Sequence, residues 1–301
     1  MFAIHDITEG VQKGDFLLLA KTISRIENRA EGVDLFLQAL LPKAVPIIGV
    51  TGPPGAGKST LISALIGEWI KEGKKIAVLS VDPSSPFHKG AILGDRIRMK
   101  EWYLHPNVFI RSLASRGHLG GLTSSMIELT TLLQSVGFDN IILETVGVGQ
   151  SEVEVASLAD TTIVVLVPEA GDEVQMMKSG LMEVADLFVV NKSDRPDAQI
   201  FANHIAQMIM ENGQDADAIK VIKTVASQGE GVQLLNEAIM AQQQVMIQRG
   251  GNKRLILSKV IQLIVAHRLR QIDSKKMETA LAEALKSPQF NIFRFIKQYL
   301  D

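Results

Sequence analysis

Residues 50–60 read VTGPPGAGKST, a glycine-rich stretch with a recognisable spacing. It fits the pattern G-x-x-x-x-G-K-[ST] through Gly52, Gly57, Lys58 and Ser59, between an apolar run and a helical pattern. Glycines let backbone N–H groups turn inward around phosphates, and the start of the helix adds a dipole that favours anions. The stretch therefore predicts a phosphate-binding loop, with Lys58 against the β- and γ-phosphates and the Ser59 hydroxyl on Mg²⁺. The alternative is a glycine-rich turn that matches by chance.

The residues predicted to bind the nucleotide in this loop form one continuous segment. They are Gly52, Pro53, Pro54, Gly55, Ala56, Gly57, Lys58, Ser59 and Thr60.

Outward from the loop, residues 45–249 alternate short apolar runs with helical patterns. The apolar runs are PIIGV, KIAVLSV, NVFIRSL, NIILETV, TTIVVLV, DLFVV and KVIKTV. This alternation predicts an α/β fold, a doubly wound and mostly parallel sheet with helices on both faces. Continuously apolar runs are typical of parallel strands that are buried on both faces.

Helical periodicity without strand-like runs marks both ends of the chain. We predict a helical N-terminal extension over residues 1–44, a P-loop domain over 45–249 and a helical C-terminal extension over 250–301. These extensions exceed what the nucleotide domain needs for its own core. They therefore suggest a helical subdomain or a dimer interface.

Composition excludes several classes of function. Lys and Arg number 31 against 33 Asp and Glu, so no overall basic field attracts nucleic acid or an anionic membrane. The chain has no cysteine, which removes disulfides, thiolate nucleophiles and Cys-ligated zinc. Its six histidines are scattered, without a pair at metal-ligand spacing. With no secretory signal and no apolar run near the ~20 residues of a membrane span, we expect a cytoplasmic protein.

Three acidic residues are placed to hold Mg²⁺ and position water. Asp82 and Glu144 each end an apolar run, and Asp95 lies in the loop-like segment ILGDRIRM. Parallel strands deliver such side chains to the crevice where ligands of open α/β sheets bind. The alternative for all three is an acid that caps the next helix.

The segment NKSD at residues 191–194 indicates which base is bound. The Asp194 carboxylate can accept hydrogen bonds from guanine N1 and N2, which adenine cannot offer, so adenine would leave it unpaired. Asn191 would brace the loop and reach the base edge, and the Lys192 stem would cover the face of the base. Further along, Val225 and Ala226 stand where G proteins usually place a Ser-Ala contact to guanine O6, so that contact would come from the backbone.

The segment ETVGVGQSE resembles the Asp-x-x-Gly switch element of G proteins, with Glu144 in place of Asp and Gly147 retained. Val148 follows where Ras-like proteins carry the Gln that orients the attacking water. Gln150 comes two residues later. It is interpreted equally well as the residue that orients this water and as a solvated residue at the start of a helix. We therefore expect slow intrinsic hydrolysis that a partner accelerates.

Seven segments in order resemble the MeaB/MMAA/ArgK family of methylmalonyl-CoA mutase-associated GTPases, from about residue 45 to 240. They are VTGPPGAGKSTL, VDPSSPF, AILGDRIRM, SRGHLGGL, ETVGVGQSE, GDEVQMMKSGLMEVAD and VNKSDRPDA. The resemblance implies a GTP-hydrolysing chaperone of an adenosylcobalamin-dependent acyl-CoA mutase, which gates cofactor loading and protects or reactivates the mutase. It also implies a homodimer formed through the helical extensions, with cobalamin held by the partner.

Carried over to this chain, the resemblance gives Lys58 and Ser59 the phosphate and metal roles, and places Asp82, Asp95 and Glu144 around Mg²⁺ and water. It makes residues 168–180, PEAGDEVQMMKSG, a switch loop that senses the mutase; the residues alone favour an ordinary strand-to-helix connection.

One departure from the family pattern concerns the segment SPFHKGAILGD. His88 and Lys89 stand where relatives usually carry small residues, which puts the local switch conformation in question. Arg116, in the glycine-rich SRGHLGG, is interpreted equally well as a phosphate or partner contact and as a solvated side chain.

Two rival functions remain. A metal-insertion GTPase of the nickel-delivery kind shares the predicted architecture, but the absence of Cys argues against metal handoff. An ArgK-type kinase of transport proteins would need a phosphate acceptor.

Overall fold

The computed structural model describes residues 2–82, 99–114, 121–145, 158–168, 181–211, 219–248, 253–287 and 289–299. Seven strands lie in these ranges and coincide with the seven apolar runs. They are β1 (Ile47–Thr51), β2 (Ile76–Asp82), β3 (Val108–Ala114), β4 (Asn140–Thr145), β5 (Thr161–Leu166), β6 (Leu187–Asn191) and β7 (Lys220–Thr224).

The strands form one sheet in the order β3-β2-β4-β1-β5-β6-β7, and all its pairings are parallel. The predicted α/β fold is therefore confirmed. β1 lies between β4 and β5, so the chain leaves it in one direction toward β2 and later returns on its other side. Ligands of open α/β sheets bind at the carboxyl ends of the strands beside such a reversal.

Eleven α-helices lie in the described ranges. They are α1 (Ile4–Lys13), α2 (Leu17–Glu27), α3 (Val33–Gln38), α4 (Lys58–Lys71), α5 (Gly121–Ser135), α6 (Leu181–Val184), α7 (Ala198–Glu211), α8 (Val232–Gln248), α9 (Lys253–Arg270), α10 (Ser274–Ala284) and α11 (Ile292–Ile296). Short 3₁₀ turns cover Lys100–Trp102, Ala226–Gln228 and Lys297–Tyr299.

Successive strand residues pack into different layers, as the pleat of a strand requires. In β2, Ile76 and Val78 join a cluster with α4 and α8. Ala77 and Leu79 join the cluster on the opposite face, which contains α5. The sheet is thus covered on both faces, which explains its continuously apolar strands.

The N-terminal helices belong to the second of these clusters. Ile7 and Val11 of α1 and Leu19, Ile23 and Ile26 of α2 are all fully buried there. Residues predicted as an extension therefore contribute directly to the core beneath one face of the sheet.

The C-terminal helix α9 packs against α5 through few buried side chains. Ala266 is buried, and the Arg270 guanidinium donates to Ser124 Oγ at 3.2 Å and to Glu128 Oε1 at 3.4 Å. Arg29, which follows α2, lies 2.6 Å from the same Glu128 carboxylate. One acidic residue thus joins α5 to both ends of the chain. Among the described residues, the search for a membrane-spanning helix gave no candidate.

An aspartate precedes each of three strands and pairs with the neighbouring strand through the same two bonds. The carboxylates of Asp139, Asp160 and Asp186 accept from the N–H groups of Lys75, Ile47 and Thr162 at 2.7, 2.9 and 2.7 Å. Each aspartate N–H also donates to the carbonyl of that same partner, at 2.8, 2.7 and 2.9 Å. At the edge of the sheet opposite the ligand crevice, these bonds therefore join three of the six neighbouring strand pairs.

Burial changes the pKa values of three ionisable groups near this edge of the sheet. It raises the pKa of Asp160 and of Asp186, and the hydrogen bonds from Ile47 and Thr162 oppose the rise. Burial lowers the pKa of Lys259 on α9, whereas the Asp160 charge acts to raise it. This attraction links the C-terminal helix to the start of the central strands.

Candidate nucleotide-binding site

The loop between β1 and α4 needs glycine at positions where the backbone of the sheet comes close. Gly52 has a φ of 135°, and a Cβ there would lie 2.1 Å from the carbonyl oxygen of Val165 in β5. Gly57 has a φ of 89°, and a Cβ there would lie 2.4 Å from Nδ2 of Asn191. These contacts leave no room for a side chain, so both glycines are required by packing as well as by conformation.

Lys58 is the first residue of α4, and its side chain is buried against the loop. Its ammonium donates to the carbonyl oxygens of Gly52 at 2.7 Å and of Pro53 at 2.9 Å. The one cation of the loop therefore lies inside the segment that the sequence predicts to surround the phosphates.

Ser59 and Glu144 meet at the carboxyl edge of the sheet. The Ser59 hydroxyl donates to Glu144 Oε1 at 2.6 Å, and Ser80 of β2 donates to Glu144 Oε2 at 3.0 Å. Glu144 and Ser59 are each 3% exposed. A hydroxyl and a carboxylate are the hard oxygen donors that Mg²⁺ prefers, so these residues fit the ion that accompanies a nucleoside triphosphate.

Two loops, at residues 191–195 and 224–227, carry the residues predicted to bind the base and are called the base-side loops. Asn191, the last residue of β6, joins them to the phosphate loop. Its Nδ2 donates to the carbonyl of Ala56 at 2.9 Å. Its Oδ1 accepts from Thr224 Oγ1 at 3.1 Å and from the N–H of Ala226 at 3.2 Å. This side chain is buried, and both its amide nitrogen and its amide oxygen form hydrogen bonds. It therefore fixes the distance between the phosphate loop and the loop at residues 224–226.

A cavity of about 220 Å³ opens beside Asn191. It is lined by Gly57, Thr60, Asn191, Lys192, Asp194, Arg195, Val225, Ala226 and Ser227. Lys192 has a φ of 56°, and its ammonium donates to the carbonyl of Gly55 at 2.8 Å, so its stem crosses from the base-side loop to the phosphate loop.

The structure thus brings together most residues proposed from the sequence: the loop from Gly52 to Thr60, Glu144, and both base-side segments. Asp82 is the last residue of β2, and Val81 before it pairs with Thr145 of β4. The backbone of Asp82 therefore lies on the strand next to the one that carries Glu144. Several predicted residues lie outside the described ranges. They are Asp95, Gly147, Val148, Gln150, His88, Lys89, Arg116 and residues 169–180.

Other residues of the site were missed in the sequence. Ser80 and Thr224 donate to Glu144 and Asn191, and Arg195 and Ser227 line the cavity. A serine inside the apolar run KIAVLSV was a signal for Ser80, since a buried hydroxyl needs a partner. Thr224 gave no such signal, because threonine is common in strands.

A further network fixes α4 from the side. Ser63 donates to Glu101 Oε1 at 2.5 Å and accepts from the Trp102 indole N–H at 2.7 Å. Ser63 lies one turn after Ser59, so residues 100–102 are anchored to the helix that carries the phosphate-loop lysine and serine.

A glycine-rich loop between β1 and α4, with a base-sized cavity beside it at the carboxyl edge of a parallel sheet, defines the class of P-loop nucleotide hydrolases. The sequence matches the family described as methylmalonyl-CoA mutase-associated GTPase MeaB over residues 19–279. The chain belongs to this family and is a GTPase.

Individual relatives agree with this membership. A Pyrococcus horikoshii protein with a provisional GTPase name is 40% identical over 292 residues, which cover 94% of this chain and 91% of that protein. The mouse protein named methylmalonic aciduria type A homolog, mitochondrial, is 34% identical over 262 residues, covering 80% and 63% of the two chains. The Escherichia coli GTPase ArgK is 44% identical over 190 residues, covering 61% and 57%.

A solved structure has a similar fold over nearly the whole chain. The crystal structure of an LAO/AO transport system kinase superposes with a TM-score of 0.68 at 26% identity, covering 98% of this chain and 96% of that one.

The contact between Gly57 and Asn191 yields a test of the site's packing. We expect Gly57→Ala to lower the free energy of unfolding by more than the ~1–2 kcal/mol of a left-handed alanine, because the new methyl group must displace the Asn191 amide. Urea denaturation of the nucleotide-free chain measures this loss.

Gly55→Ala is the matched control. Gly55 has a φ of 82°, but a Cβ there meets no atom within 4 Å, so only the backbone strain applies. Equal losses of stability in the two variants would contradict the packing argument.

Proposed function

We propose that this GTPase acts as a chaperone of an adenosylcobalamin-dependent acyl-CoA mutase such as methylmalonyl-CoA mutase, gating cofactor loading and protecting or reactivating that enzyme. The observation that carries the proposal is the family match over residues 19–279, whose description names a mutase-associated GTPase. The name of the mouse relative, with its reference to methylmalonic aciduria, supports the same class of partner.

Guanine would occupy the cavity beside Asn191. Asp194 lies on its lining, where a carboxylate can accept from guanine N1 and N2. The Ala226 N–H already donates to Asn191, so this loop is fixed in place before the base arrives. Lys192 crosses the cavity and would cover one face of the base.

The phosphates would lie along the loop from Gly52 to Thr60. On binding, the Lys58 ammonium would exchange the carbonyls of Gly52 and Pro53 for phosphate oxygens. Ser59 and Glu144, with Asp82 and Asp95, would hold Mg²⁺ and water. The ion, when bound, neutralises charge that develops on the transferring phosphoryl group.

Hydrolysis would be timed by the partner. Val148 stands where a water-orienting glutamine would follow Gly147, so the chain alone holds the attacking water poorly. Contact with the mutase would order the loops that hold the attacking water. The rate of GTP hydrolysis would then depend on the state of the mutase.

We also propose that the protein is a homodimer formed through α9. Six large apolar side chains of this helix are between 45% and 59% exposed. They are Ile256, Leu257, Val260, Ile261, Ile264 and Val265. Such a face on one helix is typical of a surface that another protein covers.

Base selectivity depends on Asp194. We expect Asp194→Asn to weaken GTP binding by roughly 10- to 100-fold and to favour xanthosine triphosphate, because the amide reverses the hydrogen-bonding requirement at the base. Calorimetry with Mg²⁺ measures both affinities. Asp197→Asn, an exposed change three residues away and off the cavity lining, should leave them unchanged. Undiminished preference for guanine in Asp194→Asn would show that the base is held elsewhere.

The mutase assignment is tested with a purified cobalamin-dependent acyl-CoA mutase. We expect co-elution and at least a roughly tenfold faster GTP hydrolysis, since ordering the water is a large part of the barrier. Lys58→Ala should co-elute without hydrolysing GTP. Neither co-elution nor acceleration with the wild-type chain would rule out this partner. Transfer of radiolabelled γ-phosphate to a protein or metabolite would instead favour a kinase.

The dimer is tested by light scattering. We expect the wild-type chain to have twice its monomer mass and Ile261→Glu to be monomeric, because a charge cannot be buried in an apolar interface without a large cost. Leu234→Glu, on α8, replaces a similarly exposed leucine and serves as the control. A wild-type mass equal to the monomer at micromolar concentration would contradict the proposed interface.

A further inference from the structure

A second cavity, of about 400 Å³, lies at the far edge of the sheet. Its lining consists of Phe2, Ala20, Lys21, Ser24, Arg25 and Arg111. Arg111 belongs to the edge strand β3, three strands away from β1 and five from β6. At about 4.8 Å per strand, the cavity is roughly 14 Å across the sheet from β1 and 24 Å from the base-side loop. It is therefore separate from the nucleotide site.

Three cationic side chains line this cavity, and none of its lining residues is acidic. Within the part of the chain that the structure describes, Lys21 and Arg25 have no carboxylate within salt-bridge distance. They lie one turn apart on α2, an arrangement of like charges that destabilises a helix. The helix dipole favours Arg25 in the last turn but does little for Lys21.

Arg111 is held in a fixed position at the cavity wall. Its Nη2 donates to Glu27 Oε2 at 2.8 Å and to Ser24 Oγ at 3.1 Å. Its buried Nε has no hydrogen-bond acceptor among the described residues. Since Glu27 balances one of three cations, the cavity keeps an excess of about two positive charges, in a chain whose net charge is −2.

The remaining wall is apolar. The Arg25 guanidinium lies 5.7 Å from the centroid of the Phe2 ring, a cation–π arrangement that fixes both side chains. The Ala20 methyl group and the stem of Lys21 extend the apolar area. A volume of about 400 Å³ falls within the range of small-molecule sites.

We propose that this cavity is a second ligand site, which binds a small molecule carrying an oxyanion, either phosphate or carboxylate, on an apolar or aromatic group. The forked guanidinium of Arg25 and the Lys21 ammonium bind the oxyanion, because planar N–H pairs match two oxygens of such a group. The apolar part lies against Phe2. Three cations that line one cavity suit a compact ligand better than an extended acidic peptide, whose charges need a groove.

The experiment uses the full chain saturated with GDP and Mg²⁺, so that the nucleotide site is blocked. Phenyl phosphate, benzoate and inorganic phosphate are titrated separately by calorimetry. We expect phenyl phosphate or benzoate to bind more tightly than inorganic phosphate, because only the first two carry a ring for the Phe2 wall. The more tightly bound of these two identifies the oxyanion.

The variant Lys21→Gln/Arg25→Gln keeps strong helix formers on an exposed helix face, so it should fold. We expect it to weaken the binding of the preferred probe by at least about tenfold, while leaving GDP affinity unchanged. Lys43→Gln, an exposed lysine outside the cavity lining, is the control and should bind the probe like the wild type. Binding of the probes that the double variant does not weaken would overturn the proposal. So would the absence of binding by all three probes, or binding of a poly-glutamate peptide alone.

Discussion

The amide of Asn191 is the constraint on which the nucleotide site depends. It donates to the phosphate loop at Ala56 and accepts from Thr224 and Ala226 on the base side, so three chain segments meet on one buried side chain. The segments come from distant parts of the sequence, and the sheet alone brings them to a common edge. Because Gly57 has no side chain, the amide can approach the phosphate loop this closely. The Asn191 amide therefore sets the separation between the phosphate loop and the loop at residues 224–226.

A second coupling runs through Glu144. Its carboxylate accepts from Ser59 on α4 and from Ser80 on β2, so the neighbouring strand and the phosphate-loop helix share one acidic residue. Two neutral hydroxyl groups can rotate to present an oxygen to an ion, whereas a lysine in their place could not. The same geometry that satisfies the buried carboxylate in the free protein therefore offers the hard oxygen ligands that Mg²⁺ prefers.

Local sequence pattern predicted the seven strands and the parallel sheet, because buried parallel strands have a distinctive apolar composition. It also predicted the loop of Gly52 to Thr60 and the segment 191–194, where chemistry depends on residue type and spacing. It could not predict that α1 and α2 pack beneath the sheet, since helical periodicity shows an apolar face without naming what covers it. Nor could it predict the contact of Arg29 and Arg270 with Glu128, which joins residues 99 and 142 positions apart. The nucleotide, metal and base contacts assigned to individual residues remain predictions, and Asp95, Gly147 and residues 169–180 lie outside the described ranges.

The paired bonds of Asp139, Asp160 and Asp186 bear on how the sheet assembles. Each aspartate bonds both the N–H and the carbonyl of a single residue at or next to the adjoining strand, in the alignment that the sheet shows. A slip by one residue would separate these groups, and it would leave the half-buried carboxylates of Asp160 and Asp186 without their donors. Parallel strands that are similarly apolar could otherwise join in several alignments. In the folded protein, these three acidic residues therefore favour the observed strand alignment, at the end of the sheet opposite the nucleotide site.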